Sequence, residues 1–209
     1  MAFPGWTPGD FEIFSVPSFE ARMELLRARI QPRLDELGRD ILPLLEADTG
    51  TEWFHHVAKH MRRTVNPPSD TWVAFNQAKR GYKATVHFSA GISALGANVC
   101  IVVKPECTER EDFAESLARN AQDVADRFAG ETGLFVGDVP NAPLSDLQPA
   151  GALAPADWLK QANALRRVKS FEFEAGYRIP SAEACSLGPS LVEAVFERIR
   201  TLRRTLRAG

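Results

Sequence analysis

All four histidines of this chain, His55, His56, His60 and His87, fall in one short stretch that also holds Lys59, Arg62, Arg63, Lys79, Arg80 and Lys83. Asp70 is the one acid between His55 and His87, so six cations face a single carboxylate. The stretch stands near +5 within a chain of formal charge −2. Asn66, Trp72 and Tyr82 lie among the charges and add hydrogen-bonding and stacking groups. A local positive field with aromatic surfaces suits an anionic ligand. Lys59, Arg62, Arg63, Asn66, Lys79, Arg80 and Lys83 are then the expected anion contacts, with Trp72 and Tyr82 as stacking surfaces.

The same residues could do acid–base chemistry. Neighbouring cations disfavour an imidazolium, which would keep His56, His60 or His87 neutral and able to act as a base near neutral pH. Asp70 could orient such a histidine or simply cap a turn after Pro68 and Ser69. His56 and His60 have the i, i+4 spacing of zinc ligands. However, Val57 stands where a zinc protease motif needs Glu, and the surrounding positive charge disfavours a cation. No metal and no cofactor is therefore expected. No Gly-x-Ser-x-Gly, P-loop or Gly-x-Gly-x-x-Gly occurs. Cys100 lies inside the apolar run Val99–Val103 and reads as a small core residue.

Bulk composition excludes other classes. The 209 residues are 44% hydrophobic and 25% charged, as in an ordinary soluble domain. No uncharged apolar run is long enough for a membrane helix, and no basic, apolar leader opens the chain. Three cysteines without C-x-x-C spacing point to a reducing, cytoplasmic setting.

Periodicity supplies the elements that must hold these groups. Residues 1–10 read as an N-terminal arm, and 11–209 as one α+β domain. Phe11–Val16 reads as a short strand. Phe19, Met23, Leu26, Ile30, Leu34 and Leu37 recur at helical spacing, with a kink expected at Pro32 and a stop at Gly38. Thr49 and Glu52 fit a capping box, predicting a helix over 52–63 that ends before Pro67-Pro68. Residues 71–77, 82–89 and 99–103 read as a three-stranded antiparallel meander. A second capping box at Thr108 predicts a long helix to Gly130. Gly137–Pro155 reads as a long loop, 155–165 as a helix and 169–179 as a strand. Residues 189–207 read as a closing helix with Arg198, Arg200, Arg203, Arg204 and Arg207 along it. If that helix packed beside the histidine stretch, the two would form one basic groove. The fold class expected is α+β, an antiparallel sheet with helices mainly on one face.

The string His56-Val57-Ala58-Lys59-His60, Arg62-Arg63-Thr64-Val65-Asn66-Pro67-Pro68, Asp70-Thr71-Trp72-Val73-Ala74-Phe75, with Lys79-Arg80-Gly81-Tyr82-Lys83 and His87-Phe88, resembles the YktB-like family of uncharacterised bacterial proteins. The likeness is dense over 11–88 and thin after about Glu106. It implies a single α+β domain similar to the TBP-like arrangement, and it brings no catalytic residues with it.

Three functions compete. The first is a binding module for nucleic acid or a nucleotide-like anion. The second is an enzyme using His56 or His60 on a phosphorylated or carboxylated small molecule. The third is a structural network in which Arg63 and Asp70 pair inside the fold.

Overall fold

Side chains alternate across a strand, and here the alternation separates an apolar face from a polar one. The computed structural model describes residues 2–61 and 64–206. Its strands are β1 (Phe54–Val57), β2 (Asp70–Asn76), β3 (His87–Ser93), β4 (Gly96–Val103), β5 (Leu134–Val136), β6 (Gln148–Pro149) and β7 (Phe173–Ile179). They form one antiparallel sheet in the order β1-β2-β3-β4-β7-β5-β6. Val73, Phe75, Phe88, Ile92, Val99, Ile101, Phe173 and Ala175 point to one side and build the main core. Their neighbours Trp72, His87, Ser89, Asn98, Cys100 and Glu174 therefore point to the other.

The helices are α1 (Pro8–Glu12), α2 (Phe19–Leu25), α3 (Gln31–Thr49), α4 (Arg110–Arg119), α5 (Ala121–Phe128), α6 (Pro155–Arg167), α7 (Ser181–Leu187) and α8 (Leu191–Leu206). They bury their apolar stripes, such as Leu34, Leu37 and Ile41 of α3 and Val195, Ile199 and Leu202 of α8, on the apolar face. The α+β class, the meander and the one-sided helices match the expectation. No described helix is long and apolar enough to cross a membrane.

Several local expectations give way to stronger constraints. Residues 1–10 are not a free arm: Phe3 and Trp6 are buried and meet edge to face at 5.2 Å. Of the residues read as a strand, 11–15 are helical and only Val16 is extended. Thr7 N and Oγ1 both bond the Asp10 carboxylate, and Pro8 fits the first turn. Ahead of Pro32 the chain widens into a π turn, Leu26–Ile30, and the helix resumes as α3. That turn absorbs the donor proline lacks. Gly38 does not stop α3 but sits inside it, where a Cβ would lie 2.6 Å from His55 Cδ2.

Thr49 ends a helix instead of starting one, because Gly50 adopts the left-handed conformation, φ 69°. The helix expected over 52–63 is therefore absent from the described residues, and 54–57 pair with β2 instead. Residues 82–84 form a 3-10 turn, so β3 starts only at His87. The long helix divides at Asn120 into α4 and α5. The 137–155 loop crosses the polar face, fixed there by Ser93 Oγ donating to Pro140 O (2.7 Å) and Arg178 Nε donating to Val139 O (3.0 Å).

Candidate functional site

Strand pairing decides which histidines can meet. In β1, His55 lies opposite Phe75 and His56 opposite Ala74, so the two rings point to opposite faces. His55 turns to the helices, its Nε2 2.8 Å from Asp35 Oδ1. His56 turns to the polar face, its Nε2 donating to Ala78 O at 3.0 Å.

On the polar face the rings form one connected cluster. His56 stacks on Tyr82, with centroids 5.4 Å apart. Tyr82 meets the edge of His87 at 4.9 Å and accepts a hydrogen bond from Trp72 Nε1 at 3.2 Å. His60 stands perpendicular to Trp72 at 5.6 Å, and its Nε2 is 3.0 Å from Thr71 Oγ1. His60 is the one non-glycine among the described residues with positive φ, 50°. That conformation costs a β-carbon-bearing residue about 1–2 kcal/mol. Lys83 Nζ and Lys104 Nζ each lie 5.9 Å from the Trp72 ring centre, within cation–π range.

Beside Trp72 a cavity of about 580 Å³ opens between the sheet and the crossing loop, lined by Lys104, Gly137, Pro140, Gln161 and Phe171. Five carboxylates also line it: Asp70, Asp138, Asp146, Glu172 and Glu174. Lys104 pairs with Glu172. The field inside the cavity is thus acidic, opposite in sign to the stretch that suggested a site. A recess of about 30 Å³ continues inward past Trp72 and Glu174 to His87, Ser89 and Asn98.

The groups around this recess are strongly perturbed. His87 is buried and its imidazolium is pushed down to about 4, first by desolvation. A bond from its Nδ1 to Thr85 O opposes that shift, and Lys104 and Lys83 add to it. Burial, more than neighbouring cations, keeps this histidine neutral. Glu174 is pushed up to about 8 by burial, with Cys100 and Lys104 acting the other way. Burial raises the Cys100 thiol well above its ordinary value, which suits a core cysteine rather than a nucleophile. Asn98 Nδ2 and Glu174 Oε1 are buried without a hydrogen-bond partner among the described residues.

His56, His60, His87, Asp70, Trp72, Tyr82 and Lys83 are thus brought together by the polar face. Lys59, Asn66, Lys79 and Arg80 are exposed and do not line the cavity. Arg62, Arg63 and Arg207 lie outside the described residues. The α8 arginines form no groove with the histidines, because α8 sits on the opposite face. There Arg203 and Arg204 pair with Asp48, Arg200 pairs with Glu197 and Arg198 reaches Glu183. Among the described residues no group of three or more His, Cys, Asp or Glu could hold a metal ion.

Lys104, Asn98 and Glu174 did not emerge from the sequence. A signal existed: in the alternation around Phe173, Glu174 falls on the side away from the core of an interior strand. A charged residue buried there needs a reason.

A family model described as a domain of unknown function, DUF1054, matches residues 6–205. A UPF0637 protein of Bacillus cytotoxicus is 35% identical over 187 residues, covering 90% of this chain and 88% of that one. A UPF0637 protein of Lysinibacillus sphaericus is 35% identical over 197 residues, covering 92% and 89%. One of Bacillus mycoides is 33% identical over 183 residues, covering 88% and 86%.

Proposed function

Since the chain belongs to the DUF1054 family, in keeping with its YktB-like string, and that family is described only as a domain of unknown function, we propose from its own geometry that it binds a nucleotide-sized anion. The heterocycle would enter the cavity beside Trp72, and the phosphate would rest on Lys83 and Lys104. The supporting observation is the pair of ammonium groups, each 5.9 Å from the Trp72 ring centre, where Trp72 and Lys104 line a cavity of about 580 Å³. That volume is typical of small-molecule sites. Lys83 has no acid partner among the described residues, so its charge is available to a ligand.

The acidic lining argues for a free nucleotide over a nucleic-acid strand. A strand needs a continuous basic groove along its backbone, and carboxylates around the cavity would repel successive phosphates. Calorimetric titration with nucleoside mono-, di- and triphosphates at low and moderate salt tests this reading. Lys83→Ala or Lys104→Ala is expected to weaken binding roughly tenfold, the effect of losing one charge-assisted contact, and added salt to weaken it further. No binding of any nucleotide, or affinity unchanged in both variants, refutes it.

An enzymatic variant of the same reading draws on His60, which holds a strained backbone beside Trp72, and on a neutral His87 at the recess. Strain held at one residue is common at working sites. Turnover of a bound nucleotide that is lost in His87→Gln supports it. Prolonged incubation without product removes it.

A further inference from the structure

Lys104 lies between two acids of the neighbouring strand. In the antiparallel pair of β4 and β7, Val102 is opposite Glu174 and Val103 is opposite Phe173. Lys104, the next residue along, therefore comes level with Glu172 and pairs with it. Glu174 stands two residues further on and on the same side of the sheet, diagonal to Lys104. Lys104 and Glu174 line both the cavity and the recess. A phosphate on Lys104 would thus rest beside Glu174.

Titratable groups reach Glu174 from every side. Lys104 and, from β7 itself, Arg178 are positive, whereas Glu172 and Asp138 of the crossing loop are negative. Asp70 of β2 and Asp146 of the crossing loop line the same cavity. Cys100 of β4 and His87 of β3 are held neutral by burial. With Lys104 already paired to Glu172, a charge on Glu174 finds little compensation. Glu174 Oε1 is buried without a hydrogen-bond partner among the described residues. Burial pushes this carboxyl up to about 8, so it is a neutral acid at pH 7 and a carboxylate at pH 9.

We infer that the nucleotide binds only while Glu174 carries its proton, which makes this side chain the charge selector of the site. The inference deepens the nucleotide reading above and rests on it. Neutral Glu174 leaves Lys104 with one counter-charge, Glu172, against which a phosphate can compete. Ionised Glu174 sets a second carboxylate beside the same ammonium. It also places a negative charge next to the phosphate in a partly enclosed site, where like charges repel more strongly than in water. By thermodynamic reciprocity, a bound phosphate holds the proton on Glu174 more tightly. Binding above pH 8 therefore draws a proton from solution.

Calorimetric titration of the full chain with AMP and CMP at pH 7, 8 and 9 is the test. Neither base titrates in that window, and the phosphate, with a second pKa of about 6, is already ionised. Affinity is expected to fall about tenfold from pH 7 to pH 9, following the share of neutral Glu174. At pH 8.5, comparison of buffers with different ionisation enthalpies should show uptake of more than about half a proton per nucleotide bound. Glu174→Gln, uncharged at every pH, should show neither the fall nor the uptake, with a thermal melt to confirm folding. Affinity independent of pH in the parent chain, or binding without proton uptake, overturns the inference and leaves the nucleotide reading standing. A fall of the same size in Glu174→Gln also overturns it. No binding of either nucleotide at pH 7 overturns both.

Discussion

The imidazole of His56 lies nearly parallel to the phenol ring of Tyr82, 20° between planes and 5.4 Å between centroids. This contact ties edge strand β1 to the turn that follows β2. Tyr82 also meets His87 and accepts from Trp72 Nε1, so one side chain joins three parts of the cluster. Tyr82→Ala should lower stability by about 3 kcal/mol, as for other large aromatic truncations. Tyr82→Phe should cost about 1 kcal/mol, the value of one hydrogen bond. Urea unfolding measures both, and equal losses in the two variants would mean the stack contributes nothing beyond the hydroxyl.

Gly38 lies where α3 crosses β1. In an exposed helix, Gly→Ala would stabilise by about 1 kcal/mol. Here the added carbon meets His55 Cδ2 at 2.6 Å and Val73 Cγ2 at 3.1 Å, and His55 is held by Asp35. Overpacking of that kind costs about 1–3 kcal/mol, so Gly38→Ala should destabilise. In a His55→Ala background the penalty should shrink. A double-mutant cycle by chemical denaturation reads this coupling directly.

Asp10 is fully buried and binds Thr7, Arg29 and Arg33. Asp10→Ala removes the acceptor shared by Thr7, Arg29 and Arg33, and because both arginines keep access to water the loss should be about 1.5–3 kcal/mol, the value of a hydrogen bond to a charged group. The loss should be felt first around Phe3 and Trp6, which lie just ahead of α1 and are buried in the core. Limited proteolysis should then cut within the first ten residues of the variant and spare the parent chain.

The long helices were legible because their signal is local. Phe19 to Leu37 and Val192 to Leu206 repeat at helical spacing, and each buries one stripe. β1 was not, because Phe54, His55, His56 and Val57 are all half-buried and show no alternation. The i, i+4 pair His56 and His60 then imitated a helix. For the candidate site, the ring cluster was legible because its members come from β1, β2 and the turn into β3. Asn98, Lys104 and Glu174 arrive from β4 and β7, and only the strand order β3-β4-β7 brings them beneath Trp72. That same non-local step reverses the local charge. Cations adjacent in sequence, such as Lys79 and Arg80, point to solvent, whereas the cavity draws its carboxylates from the crossing loop, β2, β7 and the residues just before β7.

His87 and Glu174 predict an unusual pH profile. His87 titrates at about 4 in the folded chain against an ordinary 6.5, so between these values the unfolded chain holds the extra proton. Stability therefore rises with pH across that window, by about 1.4 kcal/mol per pH unit. Glu174 titrates at about 8 against an ordinary 4.5, so between those values the folded chain holds the extra proton. Stability falls with pH across that window at the same rate. The two slopes oppose each other from about pH 4.5 to 6.5, and only the Glu174 slope remains from 6.5 to 8. The pair should therefore contribute a plateau in mild acid and a decline above it. His87→Gln removes the rising limb, so its stability relative to the parent should gain toward acid, by roughly 3 kcal/mol in total. Glu174→Gln removes the falling limb, so its relative stability should gain from pH 4.5 to 8. Urea midpoints measured at intervals from pH 4 to 8 separate the two variants. Parallel profiles for parent and both variants would mean that neither group is held in its neutral form by the fold.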